Sequence, residues 1–303
     1  MAKRILITGA SGLVGARLTE LLLLQGHDVV HVGRSQQKGR IPSYAWNVEK
    51  RTLDRRAIDS VHAIIHLAGA GIADKRWTRA RKKEILDSRV QSISLLYDVL
   101  KKGNHHVETF VSASAIGYYG SGDENELFTE SSPPGADFLA QVTNQWEAAS
   151  EKMNSLDIRV VKLRIGIVLS EKGGALKSMA TPIKLGLGAA LGTGKQYVSC
   201  IHIDDLCVSF MKAVEDKSML GVYNAVAIEP VTNLELTRAI AKTLNRPLWL
   251  PAVPSFILKI MLGEMAAMVL TGSKVSSERI RKAGLKFKFT DLESALKNLF
   301  RVK

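Results

Sequence analysis

Three glycines, Gly9, Gly12 and Gly15, follow a short apolar run from Arg4 to Thr8 and open an apolar helical stretch from Leu13 to Gln25. A turn of this kind can seat a dinucleotide. The first glycine allows the tight turn, the second lets backbone N–H groups approach a pyrophosphate, and the third lets the helix pack on the strand. The phosphates would then sit at a helix N-terminus, where unpaired N–H groups and the macrodipole favour negative charge. Thr8, Gly9, Ala10, Ser11, Gly12, Leu13, Val14 and Gly15 are assigned to this turn. At the end of the next strand the acidic residue that would bond an NAD ribose is missing, and Arg34 and Ser35 stand there instead. A guanidinium and a hydroxyl suit a 2′-phosphate, so NADP(H) is expected in preference to NAD(H).

Other groupings offer narrower chemistry. From Asp74 to Lys83, six basic residues surround Trp77. Arg76 and Trp77 could pair with and stack on a nucleotide diphosphate, while Arg79, Arg81, Lys82 and Lys83 read mainly as a solvated first helical turn. No recognised nucleic-acid motif accompanies them, and nucleic acid is not expected as a partner. Lys195 ends a glycine-rich stretch starting at Gly186, either a mobile loop over a cleft with a cation for phosphate or a plain surface loop. His202 shares one face of its run with Asp204 and reads as structural, with Asp204 and Asp205 capping a helix that begins near Leu206. No second pair of ligands lies at usable spacing, so no metal is expected. Arg164 points either into the cleft or to a buried carboxylate.

These residues need elements to position them. Apolar runs at Asp28 to Val32, Ala63 to Ala68, Glu108 to Ser114 and Ile158 to Ile165 alternate with helical periodicity, including Thr78 to Lys102 and Phe138 to Met153. Alternating β and α elements predict an α/β fold, a Rossmann-like doubly wound parallel sheet with ligands at the carboxyl ends of its strands. Residues 1–165 are expected to form the cofactor-binding domain, completed by parts of 196–230. Residues 166–247 supply cleft loops and returning elements, and 248–303 a smaller, mostly helical lobe.

With 303 residues and 46% hydrophobic content there is ample material for a core. No apolar run is long enough to span a bilayer. The most apolar stretch, Phe256 to Leu270, is interrupted by Lys259 and Glu264 and reads as a packed helix, and no membrane partner is expected. Two cysteines, Cys200 and Cys207, suggest no disulfide framework, and the start of the chain leaves no room for a signal peptide, so a reducing cytoplasm is expected. The net charge of +13 speaks to association rather than fold.

The motif from Thr8 to Gly15, His66 to Gly69, Ser112 to Ser114 followed by Tyr118, Tyr119 and Gly120, and Ile201 to Asp205 together resemble the extended short-chain dehydrogenase/reductases. More narrowly, Arg76 to Thr78, Ser88 to Val90, Pro133 to Gly135, Trp146 with Glu147, and Leu262 to Met265 resemble an atypical NAD(P)-dependent epimerase family. The likeness covers nearly the whole chain. It implies a Rossmann domain binding NADP(H), with Leu67, Ala68, Gly69 and Ser112 lining the cofactor site, and a cleft suited to nucleotide-linked sugars that the segment around His202 helps to close, which would make His202 substrate-adjacent. The portion from Leu248 to about Leu299 is similar to this subfamily's small helical domain. Fold and cofactor carry over better than reaction.

One departure concerns the reaction itself. Short-chain dehydrogenases use a serine at a strand end and a Tyr-x-x-x-Lys pair on the following helix. Ser114 fits the serine position as a hydrogen-bond donor to a substrate oxygen, but Leu139 and Thr143 stand where the tyrosine and lysine would be. A literal match at Tyr97 and Lys101 lies on the preceding helix and would not face Ser114. Either Tyr118 or Tyr119 supplies the proton, or no such chemistry occurs. The expected function is an oxidoreductase or epimerase acting on a nucleotide sugar or another small carbonyl or alcohol compound. The alternative is a non-catalytic NADP(H)-responsive binding protein.

Overall fold

The computed structural model describes residues 2–122, 126–227 and 229–302. Its central sheet contains β1 (Arg4–Thr8), β2 (Asp28–Gly33), β3 (Ser43–Asn47), β4 (Thr52–Leu53), β5 (Ala63–His66) and β6 (Thr109–Ala115). After the short β7 (Leu127–Phe128) it is extended by β8 (Arg159–Ile165). Three short strands follow, β9 (Ile167–Leu169), β10 (Tyr197–Val198) and β11 (Cys200–His202), before β12 (Gly221–Ala225) completes the sheet. Across it the order is β12, β8, β6, β5, β1, β2, β3, β4. All pairs are parallel except β3 with β4. The winding reverses between β1 and β5, so a crevice opens at their carboxyl ends, where doubly wound folds take their ligands.

Ile5, Leu6 and Ile7 of β1 and Ala63, Ile64 and Ile65 of β5 have no exposed surface. Continuous rather than alternating apolarity is what a parallel sheet covered on both faces requires. The covering helices include α1 (Leu13–Leu24), α2 (Arg79–Lys101), α3 (Phe138–Glu151), α4 (Gly174–Lys184), α5 (Ile203–Glu215) and α6 (Asn233–Thr243). Four of these six helices, α2, α3, α5 and α6, start at side-chain caps. Thr78 accepts from the Arg81 N–H, Asp137 from the Ala140 N–H, and Thr232 with Glu235 forms a reciprocal capping box on α6. Helix α1 ends where Gly26 adopts a φ of +79°.

Two expectations are corrected. Asp204 and Asp205 do not cap a helix near Leu206: α5 starts at Ile203 and its cap is His202, whose Nδ1 accepts the Asp204 N–H. Asp204 is drawn instead to Arg17 of α1, at 2.7 Å. Asp205 turns inward to accept the backbone N–H groups of Lys288 and Phe289, fastening the C-terminal segment to the body.

The stretch from Phe256 to Leu270 is not a packed helix either. It comprises α7 (Ser255–Leu262), a 3-10 turn at Gly263–Ala266 and the short α8 (Ala267–Leu270). Gly263, at a φ of +61°, ends α7, and Leu258 is that helix's one buried residue. The short strands β13 (Val231–Thr232) and β14 (Lys274–Val275) pair with β10 and β7, and α9 (Glu278–Lys282) and α10 (Leu292–Phe300) finish the chain.

Candidate functional site

At the carboxyl end of β1 the Thr8 hydroxyl is a hub. Its oxygen accepts the Leu67 and Ala68 N–H groups at 3.2 and 3.3 Å, so its proton is free for His66 Nδ1 at 2.8 Å. Nδ1 is then an acceptor, and the His66 proton resides on Nε2, directed at Ser92 Oγ 3.2 Å away. Burial, with Arg89 nearby, pushes His66 down to about 3, so the ring stays neutral. This lattice holds the ends of β1 and β5 in register around the turn.

The glycines fit a dinucleotide cradle. A Cβ on Gly9 would lie 2.9 Å from the Ala68 nitrogen, and one on Gly15 only 2.5 Å from the Gly9 carbonyl oxygen. A Cβ on Gly12 would meet only the Gly9 carbonyl oxygen, at 3.2 Å, and Ser11 and Gly12 are exposed, which leaves their outer side open to a ligand. The N-terminus of α1 starts there. A Cβ added to Gly173 or Gly174 would lie 3.7 or 3.5 Å from the Leu13 side chain, so the start of α4 lies beside the same turn, a neighbour that the sequence announces only as a pair of glycines.

Beyond β2, Arg34 and Ser35 are exposed, and Arg34 enters no ion pair among the described residues. Lys38 and Arg40, in the same exposed loop, add to its positive charge. Past β5, Leu67 and Ala68 are half-buried and Gly69 is exposed. Ser88 and Arg89 of α2 brace this segment: Ser88 Oγ accepts the Ala70 N–H, and Arg89 donates to the Ala70 carbonyl and lies 5.0 Å over the Trp146 ring. Burial, then the charge of Arg81, lowers Arg89 to about 10. Ser112 is fully buried and faces Ser150 of α3, so its side chain is directed into the helix packing.

A buried polar network occupies the ends of β6 and β8. Ser114 and Arg164 are register partners, and Glu147 of α3 reaches both. Arg164 donates from Nε and Nη2 to the two Glu147 carboxylate oxygens at 2.8 and 2.9 Å, and Ser114 Oγ donates to Oε1 at 2.6 Å. Arg164 Nη1 donates to the Tyr119 hydroxyl at 3.0 Å, which donates to Asn224 Oδ1 at 2.6 Å. Burial disfavours the charge on Arg164, but its bonds to Glu147 outweigh this and hold the guanidinium above its ordinary range. Burial pushes the Tyr119 phenol up to about 12, against the opposing pull of Arg164 and Asn224. The Tyr118 ring lies face-on to the same guanidinium, with 3.3 Å from its centroid to the Arg164 Cζ. Ser114 therefore differs from expectation: its single proton is directed at a carboxylate, which leaves its lone pairs to accept rather than donate. Glu147 is the residue that sequence reasoning passed over, although its spacing of four from Thr143 and eight from Leu139 places it on their helical face.

The remaining assigned residues serve contacts within the chain. Arg76 Nη2 donates to the carbonyls of Ile260 and Met261 at the end of α7, and Trp77 Nε1 donates to the Ile72 carbonyl while its ring meets Phe138 edge-on. Arg81 is not solvated: it is 7% exposed and binds the Gly71 carbonyl, Asp74 and Glu84. The loop ending at Lys195 is pinned, with the Leu191 N–H on Asn233, the Gly192 N–H on the Val253 carbonyl, and Gln196 on the Leu191 and Val269 carbonyls. Lys195 itself is exposed. His202 is 3% exposed, stacks on Phe289 at 3.9 Å and is pushed down to about 4, chiefly by burial. Among the described residues no group of three or more metal-ligating side chains converges.

Comparisons with known proteins agree with this geometry. Residues 5–226 match the NAD dependent epimerase/dehydratase family, and residues 253–299 match a domain of unknown function, DUF1731. The chain is 36% identical over 302 residues to the epimerase family protein SDR39U1 homolog, chloroplastic, of Arabidopsis thaliana, covering 97% of this chain and 86% of the relative. The crystal structure of human epimerase family protein SDR39U1 (isoform 2) with NADPH is similar, with a TM-score of 0.89 and 31% identity over 99% of this chain and 100% of that one. A nucleoside-diphosphate sugar epimerase from Corynebacterium glutamicum gives a TM-score of 0.80 at 29% identity, over 98% of this chain and 58% of that one. With its Rossmann-like sheet, glycine cradle and C-terminal helical segment, the chain belongs to the NAD dependent epimerase/dehydratase family.

Proposed function

We propose that the protein is an NADP(H)-dependent oxidoreductase or epimerase acting on a nucleotide-linked sugar or another small carbonyl or alcohol compound. The observation that carries this reading is the glycine cradle at the carboxyl end of β1 with an exposed Arg34, free of ion pairs among the described residues, at the end of β2. The NADPH in the human relative's structure and the name of the C. glutamicum relative support the cofactor and substrate classes. When bound, the nicotinamide supplies or takes a hydride. The chain's own residues bind and orient: the turn holds the pyrophosphate, and Arg34 and Ser35 hold the 2′-phosphate. Ser114 accepts a hydrogen bond from a substrate hydroxyl while keeping its own proton on Glu147. The two cysteines are free and buried, in keeping with a reducing cytoplasm as the proposed working compartment.

A second reading is favoured by one observation. On the face of α3 where the family's acid and its lysine would stand are Leu139 and Thr143, and the Thr143 hydroxyl donates to the Leu139 carbonyl. A non-catalytic NADP(H)-responsive binding protein would need neither group. Titration with NADPH and with NADH, followed by energy transfer from the tryptophans to the reduced nicotinamide, tests the cofactor. Tight NADPH binding with much weaker NADH binding is expected, and binding of neither refutes both readings. Oxidation of the bound NADPH by a carbonyl substrate separates enzyme from sensor.

A further inference from the structure

We propose that the apolar face formed by α7 and the segments beside it is a docking surface for an anionic phospholipid membrane. Trp249, Phe256, Ile260 and Met261 are between 63% and 71% exposed, and Leu185 and Leu187 are 71% and 57% exposed. The two stretches carrying these side chains lie against each other. Gly188 abuts Leu248, Gly192 abuts Ser255, and Val253 exchanges backbone hydrogen bonds with Ala190 and Gly192. On α7 the exposed positions 256, 257, 260 and 261 share one face, as a 3.6-residue period requires.

Charge identifies the occupant. Residues 172–203 contain Lys172, Lys177, Lys184 and Lys195 and no Asp or Glu, and residues 236–263 contain Arg238, Arg246, Lys259 and Lys242, the last paired with Glu293 of α10, and no Asp or Glu. Exposed aromatic and aliphatic side chains within basic, carboxylate-free segments match an interfacial element, which sinks its apolar face to the headgroup boundary while Lys and Arg meet anionic lipid. A second copy is a poorer fit, because a self-complementary contact would bring two basic patches together with no carboxylate from these segments to pair with them.

The mount is preformed. Arg76 holds the carbonyls of Ile260 and Met261, and Lys82 pairs with Glu264, so α7 is braced against the loop after β5 at the crevice end of the sheet. The sequence expectation of no membrane partner rested on the lack of a spanning run, and a helix lying in the interface plane needs none.

The test is co-sedimentation of the full chain with vesicles of phosphatidylcholine alone and of phosphatidylcholine mixed with phosphatidylserine. Binding to the mixed vesicles only, weakening as salt rises, is expected. The F256S/I260S variant should bind at least about tenfold more weakly, since both side chains leave the apolar contact. The R246E/K259E variant should lose binding with no change in melting temperature, because both positions are exposed. Failure of the wild type to bind, or equal binding by F256S/I260S, overturns the proposal. So does a concentration-dependent dimer that F256S/I260S abolishes, which would assign the face to a second copy.

Discussion

Replacing Glu147 with leucine removes a carboxylate that accepts three hydrogen bonds, two from Arg164 and one from Ser114. The side chains of Arg164 and Glu147 are only 3% and 7% exposed, so water cannot take over. The stranded guanidinium keeps the Tyr119 hydroxyl and the Tyr118 ring as neighbours, neither of which carries a compensating charge. Breaking a buried ion pair from one side costs about 3–5 kcal/mol. With an unfolding entropy of about 2.1 cal/mol/K per residue over 303 residues, this corresponds to a fall of roughly 5–8 °C in melting temperature. R164M should fall by a similar amount. The double variant E147L/R164M, with no charge left to strand, should melt closer to wild type than either single variant. Calorimetry on all four proteins closes the cycle. Additive losses in the double variant, or a fall of less than about 2 °C in E147L, would refute the assignment of a coupled buried pair.

R34D should weaken NADPH binding by roughly 10- to 150-fold, the equivalent of one charge-assisted hydrogen bond of about 1.5–3 kcal/mol, and leave NADH binding within about threefold. Equal loss for both cofactors in the fluorescence titration would remove Arg34 from the 2′-phosphate. G15A forces a Cβ to within 2.5 Å of the Gly9 carbonyl oxygen and 2.7 Å of the Ala10 Cα, both backbone atoms. It should lose about 1–3 kcal/mol in chemical denaturation and weaken NADPH, whereas G39A, whose Cβ meets nothing within 4 Å, should change stability by less than about 0.5 kcal/mol. His202, pushed down to about 4, stays neutral in the fold over a range in which the unfolded chain binds a proton. Its contribution to stability is complete above about pH 6.5 and is lost as pH falls towards 4, by up to about 1.4 kcal/mol per unit. H202N retains an acceptor for the Asp204 N–H and should flatten that slope by about one proton; an unchanged slope in urea melts would exclude His202 as the titrating group.

The glycine turn between β1 and α1 was legible because everything it needs is local: an apolar strand, glycines spaced by three and a helix within about twenty residues. Strand β3 was not, since Ser43, Tyr44 and Trp46 gain their place from pairing with β2 rather than from their own periodicity. The environment of Arg164 stayed open for a related reason. Its carboxylate partner lies 17 residues earlier, on α3, and only the packing of α3 on β6 and β8 brings Glu147 between Ser114 and Arg164. At His202 the chain's own chemistry misled, because aspartates commonly cap helices, yet here one is drawn to Arg17 and the other to the backbone of residues 288 and 289. The apolar stretch after Pro254 looked like core because composition registers hydrophobicity and not what covers it.

The clasp between Asp205 and the N–H groups of Lys288 and Phe289 also sets a schedule for biosynthesis. The carboxylate, 2% exposed and raised in pKa chiefly by burial, is made 84 residues before its farther partner. At about 5–20 residues per second, a ribosome takes roughly 4–17 seconds to cover that distance. Once residue 225 is made the α/β body has every strand of its sheet, yet it still carries an unanswered acid at the start of α5. The nascent protein therefore has a defined window of exposure to chaperones and proteases, and it closes only when residues 288 and 289, between the last two helices, arrive.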